Sequence, residues 1–269
     1  MNHISFPIIS PFQVFLLYLH FVLNKNANMK RINVRPLVVL MLVAMMSGCG
    51  AFDIHPYDVK VKGETDINAR NIARIEEATQ GKDTLRFACI SDSHQWYADA
   101  RAAVGDINRR KDSLDFVVHC GDLTDTGTNK EFEWCDRVLS NLQLPYIAMI
   151  GNHDFLGTGE EYYAKKYGRK NFSMIAGRVK FVFLNTNATE YDYVASVPDL
   201  NYIRQQAEED SLRFDRTLVL MHARPYSDQF NNNIAEPFEH YLQYFLKPMF
   251  CINGHDPAVY VGPQELAVQ

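Results

Sequence analysis

An α/β fold built on a parallel sheet is what this sequence predicts, and three observations carry that reading. Leu85–Ile90, Phe116–Cys120 and Pro145–Ile150 are short apolar runs bounded by turn residues, the pattern of strands covered on both faces. Stretches of helical periodicity separate them, giving β-α-β-α-β, and such units wind into a parallel sheet. Further on, Phe172–Ile175 and Val179–Leu184 flank Gly177-Arg178, a hairpin signal that adds antiparallel strands and a second sheet.

In chain order, Met29-Lys30-Arg31 and Arg35 form a basic start, Leu37–Met46 an apolar run, and Ser47-Gly48-Cys49 a small-residue end. Together they read as a secretory signal at residues 29–48, because the run falls short of the ~20 apolar residues a membrane-crossing helix needs. Met46-Ser47-Gly48-Cys49 resembles a bacterial lipobox. The resemblance implies cleavage before Cys49, a lipid on its sulfur, and a chain exported to the cell envelope and held at the membrane. The competing reading is a transmembrane anchor with an incidental cysteine. Residues 1–28 then have no role, and translation is expected to begin at Met29. Residues 49–57 read as a tether, leaving 58–269 as the domain.

Within that domain Asp58–Val61 reads as an edge strand. Thr65 is placed to cap a helix from Asp66 to Gln80 that buries Ile67, Ile72, Ile75 and Ala78 and stops at Gly81. A second helix, Tyr97–Arg110, is expected to bury Ala98, Ala102 and Ile107. A third, Asn129–Asn141, spaces Phe132, Cys135, Val138, Leu139 and Leu142 for burial. Helices at Asp199–Ser211 and Glu236–Leu246 precede strands at Thr217–Met221 and Met249–Asn253. Cys89, Cys120 and Cys251 lie in strand-like runs and read as core residues, and no C-x-x-C pair suggests a zinc or redox motif. His119, inside a strand, reads as a core histidine, and His55 and His240 as surface.

Composition narrows the class. At 47% hydrophobic and 22% charged the chain is an ordinary globular protein, and a net charge of −5 gives no reason to expect a nucleic-acid-binding surface.

Each strand end carries ligand-type residues: Ser91-Asp92-Ser93-His94, Gly121-Asp122-Leu123-Thr124-Asp125 and Gly151-Asn152-His153-Asp154. In α/β sheets ligands bind beyond the carboxyl ends of the strands, so these loops share one rim. Met221-His222-Ala223-Arg224-Pro225 and Asn253-Gly254-His255-Asp256 follow later strands. Singly, each residue is a turn former or a surface histidine; six at successive strand ends are not.

This order of blocks, D-x-H, G-D-x-x-D, G-N-H-D, a lone His, then G-H, resembles the calcineurin-like metallophosphoesterases from about Leu85 to His255. The resemblance implies an α/β/β/α sandwich and two divalent metal ions (manganese, iron or zinc). It implies hydrolysis of phosphate mono- or diesters by in-line attack of a hydroxide bridging the metals, on a phosphorylated small-molecule or lipid substrate. Carried over by motif, Asp92 and His94 bind the first metal, Asp122 bridges, and Asn152, His222 and His255 complete the second. His153 acts on the leaving group as general acid, and Asp125 orients it by accepting its other N–H. Arg224 either reaches a phosphate oxygen or forms a surface salt bridge.

The sequence departs from the family at its last block, which usually reads G-H-x-H and here is Gly254-His255-Asp256-Pro257. Proline offers no ligand atom. Either Asp256 or water completes the first metal, or the chain is altered or incomplete near its end, because the family's closing strands would lie beyond Gln269. The competing functional reading is a non-catalytic lipid-anchored protein that keeps the fold and binds a metal or a phosphorylated ligand.

Overall fold

The computed structural model describes residues 58–191, 195–209, 212–245 and 247–256. The expected upstream segment, signal, tether and Cys49, along with His55 and Pro257, lie outside the described residues. Among the described residues no helix is long and apolar enough to cross a membrane.

Among the described residues seven strands form two sheets. β1 (Phe87–Ile90), β2 (Phe116–His119) and β3 (Tyr146–Ala148) make a parallel three-stranded sheet in the order β1-β2-β3. β4 (Phe172–Ala176), β5 (Val179–Leu184), β6 (Arg216–Met221) and β7 (Pro248–Asn253) follow in chain order in the second sheet. Only the β4–β5 hairpin is antiparallel; β6 and β7 run parallel to β5. The expected hairpin closes through Gly177-Arg178, with Ala176 opposite Val179. Gly177 has φ +54°, and a side chain there would meet the Lys82 carbonyl at 2.7 Å.

Strand alternation builds the layers. Phe116, Val118 and Cys120 of the first sheet pack on Met174, Phe181, Phe183, Leu218 and Leu220 of the second, forming the inter-sheet core. The intervening residues face helices. Val117 and Ala148 pack among Ile107, Phe132, Leu139 and Tyr163 on one outer side. Val182, Leu184, Val219 and Met221 pack with Ile203, Phe230 and Phe238 on the other. The result is the α/β/β/α sandwich, and it explains why β2 and β5 read as apolar runs apart from His119 and Lys180.

The helices are α1 (Ile67–Thr79), α2 (Tyr97–Arg109), α3 (Asn129–Leu139), α4 (Gly159–Lys166), α5 (Leu200–Glu208) and α6 (Ala235–Leu242). Thr128 and Glu131 cap α3 reciprocally, satisfying backbone donors at its first turn. Asp199 caps α5 by accepting from Asn201 and Tyr202.

Several sequence expectations are corrected here. Asp58–Val61 does not form a strand among the described residues. Asp66, in a left-handed conformation, precedes α1 without a side-chain cap, so Thr65 does not serve. The buried face of α1 is partly polar: Ala78 is exposed, while Asn68, Asn71 and Thr79 are buried. The asparagines are buried because they serve the free edge of β3. The Asn68 amide donates to the Ala148 carbonyl (2.8 Å) and accepts from its N–H (2.9 Å), and Asn71 donates to the Tyr146 carbonyl (2.7 Å). On α2 the buried residues are Ala100, Val104 and Ile107, not Ala98 and Ala102. Cys89 and Cys251 are exposed, since β1 and β7 are edge strands, while Cys120 is buried as expected.

Candidate metal centre

The three loops after β1, β2 and β3 meet the loops after β6 and β7 at one rim. Two clusters form around Asp122, a buried carboxylate: His94, Asp122 and His153 on one side, and Asp122, His222 and His255 on the other. Asp122 Oδ1 lies 3.4 Å from His222 Nε2, and Oδ2 lies 3.9 Å from His94 Nε2. Each oxygen thus faces a different cluster.

Close approach is permitted by small residues. A side chain on Gly121 would strike His222 Nδ1 at 2.5 Å, and one on Gly151 would strike Asp122 Oδ1 at 2.1 Å. Asp92, Asp122 and His255 all take left-handed backbone angles, with φ of 55°, 56° and 66°. Such conformations cost energy for residues with a Cβ and concentrate where the chain must aim a side chain.

Hydrogen bonding fixes the protons on the second cluster. His222 Nδ1 donates to the Cys120 carbonyl (2.8 Å), so Nε2 carries a lone pair. His255 Nε2 donates to the Asp228 carboxylate (2.8 Å), so its Nδ1 carries one as well. Both bare nitrogens point at the Asn152 amide oxygen, at 3.0 and 3.1 Å, with Asp122 alongside. With both imidazoles neutral, four acceptors converge with no donor among them, an arrangement that a bound cation satisfies, or a proton on His222 when no cation is bound. Burial pulls His222 toward the neutral form, but the Asp122 carboxylate beside it outweighs burial and raises its pKa. Burial likewise opposes the charge on Asp122, yet His222 and the His153 N–H hold its pKa below the ordinary value.

The first cluster is more open. The His94 and His153 rings stack at 4.6 Å, and Asp92 Oδ2 accepts from the His255 backbone N–H at 3.3 Å. His153 is half-buried and donates Nδ1–H to the backbone carbonyl of Asp125 (2.8 Å), leaving Nε2 for another partner. The expected contact through the Asp125 carboxylate is corrected: that group is 3.9 Å from His153 and instead faces His94 Nδ1 (3.4 Å) and the Gln95 amide (2.6 Å). Burial lowers the basicity of His153, but the Asp125 carbonyl and the Asp122 charge more than offset it, so its pKa is raised. Arg224 Nε lies 2.6 Å from Asp256 Oδ2. That pair is the salt bridge foreseen for Arg224, and it turns Asp256 toward the guanidinium.

Three supporting residues escaped the sequence reading. Asp228 holds the His255 tautomer. Ser93 Oγ meets His119 Nε2 at 2.7 Å within the core, anchoring the loop between Asp92 and His94 to β2. Burial drives His119 down to about 3, so it stays neutral. Asp154, fully buried, accepts from the N–H groups of Gly151 (2.9 Å), Leu123 (3.1 Å) and Thr124 (2.9 Å) and from the Thr124 hydroxyl (2.8 Å). It thereby ties the Asp122 loop to the Asn152 loop. Burial and the nearby Asp122 charge push its carboxyl up to about 7. Asp154→Asn sets an amide N–H against backbone N–H groups. It should cost about 2–4 kcal/mol, lowering Tm by roughly 5–15 °C in a thermal melt. An unchanged Tm would show that the loops do not depend on this carboxylate.

Residues 85–258, more than half of the chain, match the family described as calcineurin-like phosphoesterase. The chain belongs to that family. It is 28% identical over 116 residues to a 3′,5′-cyclic-nucleotide phosphodiesterase of Nostoc, a match covering 42% of each chain. It is 32% identical over 81 residues to a probable cyclic nucleotide phosphodiesterase of Rhodopseudomonas palustris, covering 26% of this chain and 30% of that one. A 48-residue match, 40% identical and covering 18% of each chain, links it to a probable glycerophosphodiester phosphodiesterase of Arcobacter nitrofigilis. These matches span less than half the length of each relative. A purple acid phosphatase from yellow lupin shares the fold, with a TM-score of 0.52 at 16% identity over 65% of this chain and 38% of its own.

Proposed function

We propose that this calcineurin-like phosphoesterase hydrolyses phosphodiesters at a centre for two divalent cations. The convergence of Asp122, Asn152, His222 and His255 acceptors without a donor carries the reading. The first cation belongs to Asp92, His94 and Asp122, the second to Asp122, Asn152, His222 and His255. Bound there, the pair would neutralise phosphoryl charge and make a water acidic enough to act as nucleophile. Asp122 offsets repulsion between the cations. His153, held by the Asp125 carbonyl, presents Nε2 to the leaving oxygen and supplies its proton.

With Arg224 Nε facing Asp256, the histidines and cations carry phosphate recognition in this reading. The relatives' names favour diesters over monoesters and hydrolysis over mere binding. The lipobox-like end at Cys49 supports a lipid-anchored form at the cell envelope, and Cys49→Ser should then abolish fatty-acid labelling.

The test is turnover of chromogenic mono- and diesters with manganese and with chelator. Manganese-dependent diester cleavage is expected. Inactivity toward every ester at saturating manganese would favour a phosphoryl-ligand-binding protein.

A further inference from the structure

Beside the metal centre, α2 and α3 enclose a groove of about 560 Å³ lined by Gln95, Tyr97, Arg101, Trp134, Arg137 and Val138. Gln95 lines it, and its amide donates to the Asp125 carboxylate, which in turn faces His94. The groove is therefore linked to the first cluster through Gln95 and Asp125. Trp134 is 41% exposed, a costly position for so large an apolar ring. Tyr97 meets it edge-on at 6.1 Å, and the Tyr97 hydroxyl is itself held by the Leu123 carbonyl. The indole is thus steadied while much of it stays open to a ligand.

Two cationic side chains also line the groove. In a chain of net charge −5, Arg101 and Arg137 line it, and neither forms an ion pair among the described residues. An exposed indole in a groove also lined by two guanidinium groups suits a planar ring that also carries an anion. Bases stack on aromatic side chains with about 1–3 kcal/mol each, and arginine forks suit phosphate oxygens.

We propose that this groove is a nucleotide subsite: the base stacks on Trp134, and a phosphate that is not being cleaved pairs with Arg101 and Arg137. Resting on the phosphodiesterase reading, it makes the substrate class a nucleotide with a second phosphate, such as a dinucleotide.

The experiment uses fluorescence. The chain has two tryptophans, so Trp96→Phe leaves Trp134 as the sole reporter. Adenosine 5′-monophosphate should quench that protein both in chelator and in manganese, and adenosine and inorganic phosphate should each bind at least tenfold more weakly. Arg101→Ala and Arg137→Ala should each weaken the nucleotide by about 10–100-fold, the worth of a charge-assisted hydrogen bond, with partial recovery in Arg137→Lys. In turnover the same alanine variants should raise KM for a dinucleotide by a similar factor while leaving methyl p-nitrophenyl phosphate unaffected. No quenching in chelator, or quenching that ignores both arginines, overturns the subsite. Quenching that persists in a protein that cleaves no ester leaves the subsite standing and removes the phosphodiesterase reading instead.

Discussion

Asp122→Asn should leave a folded protein that holds neither cation firmly and turns over no diester. Among the described residues Asp122 is the one carboxylate that belongs to both histidine clusters, with an oxygen toward each. Asparagine keeps the shape but removes one ligand oxygen and the negative charge that offsets two cations. It also sets an amide N–H against the His153 N–H, which Oδ1 now accepts at 3.0 Å. Several kcal/mol of charge stabilisation are lost, equivalent to a rate drop of about 10³-fold or more. Metal analysis after gel filtration and a diester assay read the outcome together, with circular dichroism to establish folding. Two retained metals and a normal rate would remove Asp122 from the bridging position.

His153→Gln should behave differently. Metal content should stay as in the unmodified protein while kcat falls roughly 10²–10⁴-fold, the usual worth of a positioned proton donor. The ring is anchored on one side by the Asp125 carbonyl and on one face by His94, so its free nitrogen has a defined direction. Glutamine cannot give up a proton at neutral pH. The deficit should therefore shrink as the leaving group becomes more acidic, because such groups depart without protonation. An equal deficit across a leaving-group series would exclude the acid role.

The site was legible in the sequence because strands and ligands alternate. Asp92, Asp122 and Asn152 follow apolar runs so directly that the fold leaves one rim for all of them. The Asp125 contact was not legible, since its backbone carbonyl does the work and no side-chain pattern reports a carbonyl. Asp228 and Ser93 act through partners 27 and 26 residues away in sequence, so spacing could not find them. Asp154 stood within the G-N-H-D block, and its burial comes from donors supplied by another loop.

In the fold, α2 was placed on the wrong face because alanines at 98, 100, 102 and 103 fit any face, and packing against Val138 decides. Helix α4 was missed because it is short and its buried face is two tyrosines and Lys166, whose ammonium reaches Asp136 and the Lys62 carbonyl. The parallel direction of β6 and β7 depends on the helices that precede them, not on the composition of the strands.

Counting manganese ions per chain by equilibrium dialysis with elemental analysis tests the central claim most directly. The second cluster offers four protein ligands, whereas the first lacks an imidazole where Pro257 stands and Asp256 is committed to Arg224. Two ions per chain are expected at saturating manganese, falling to one after exhaustive dialysis into metal-free buffer, with diester turnover lost and restored on readdition. Failure to bind any manganese at saturation would contradict the account.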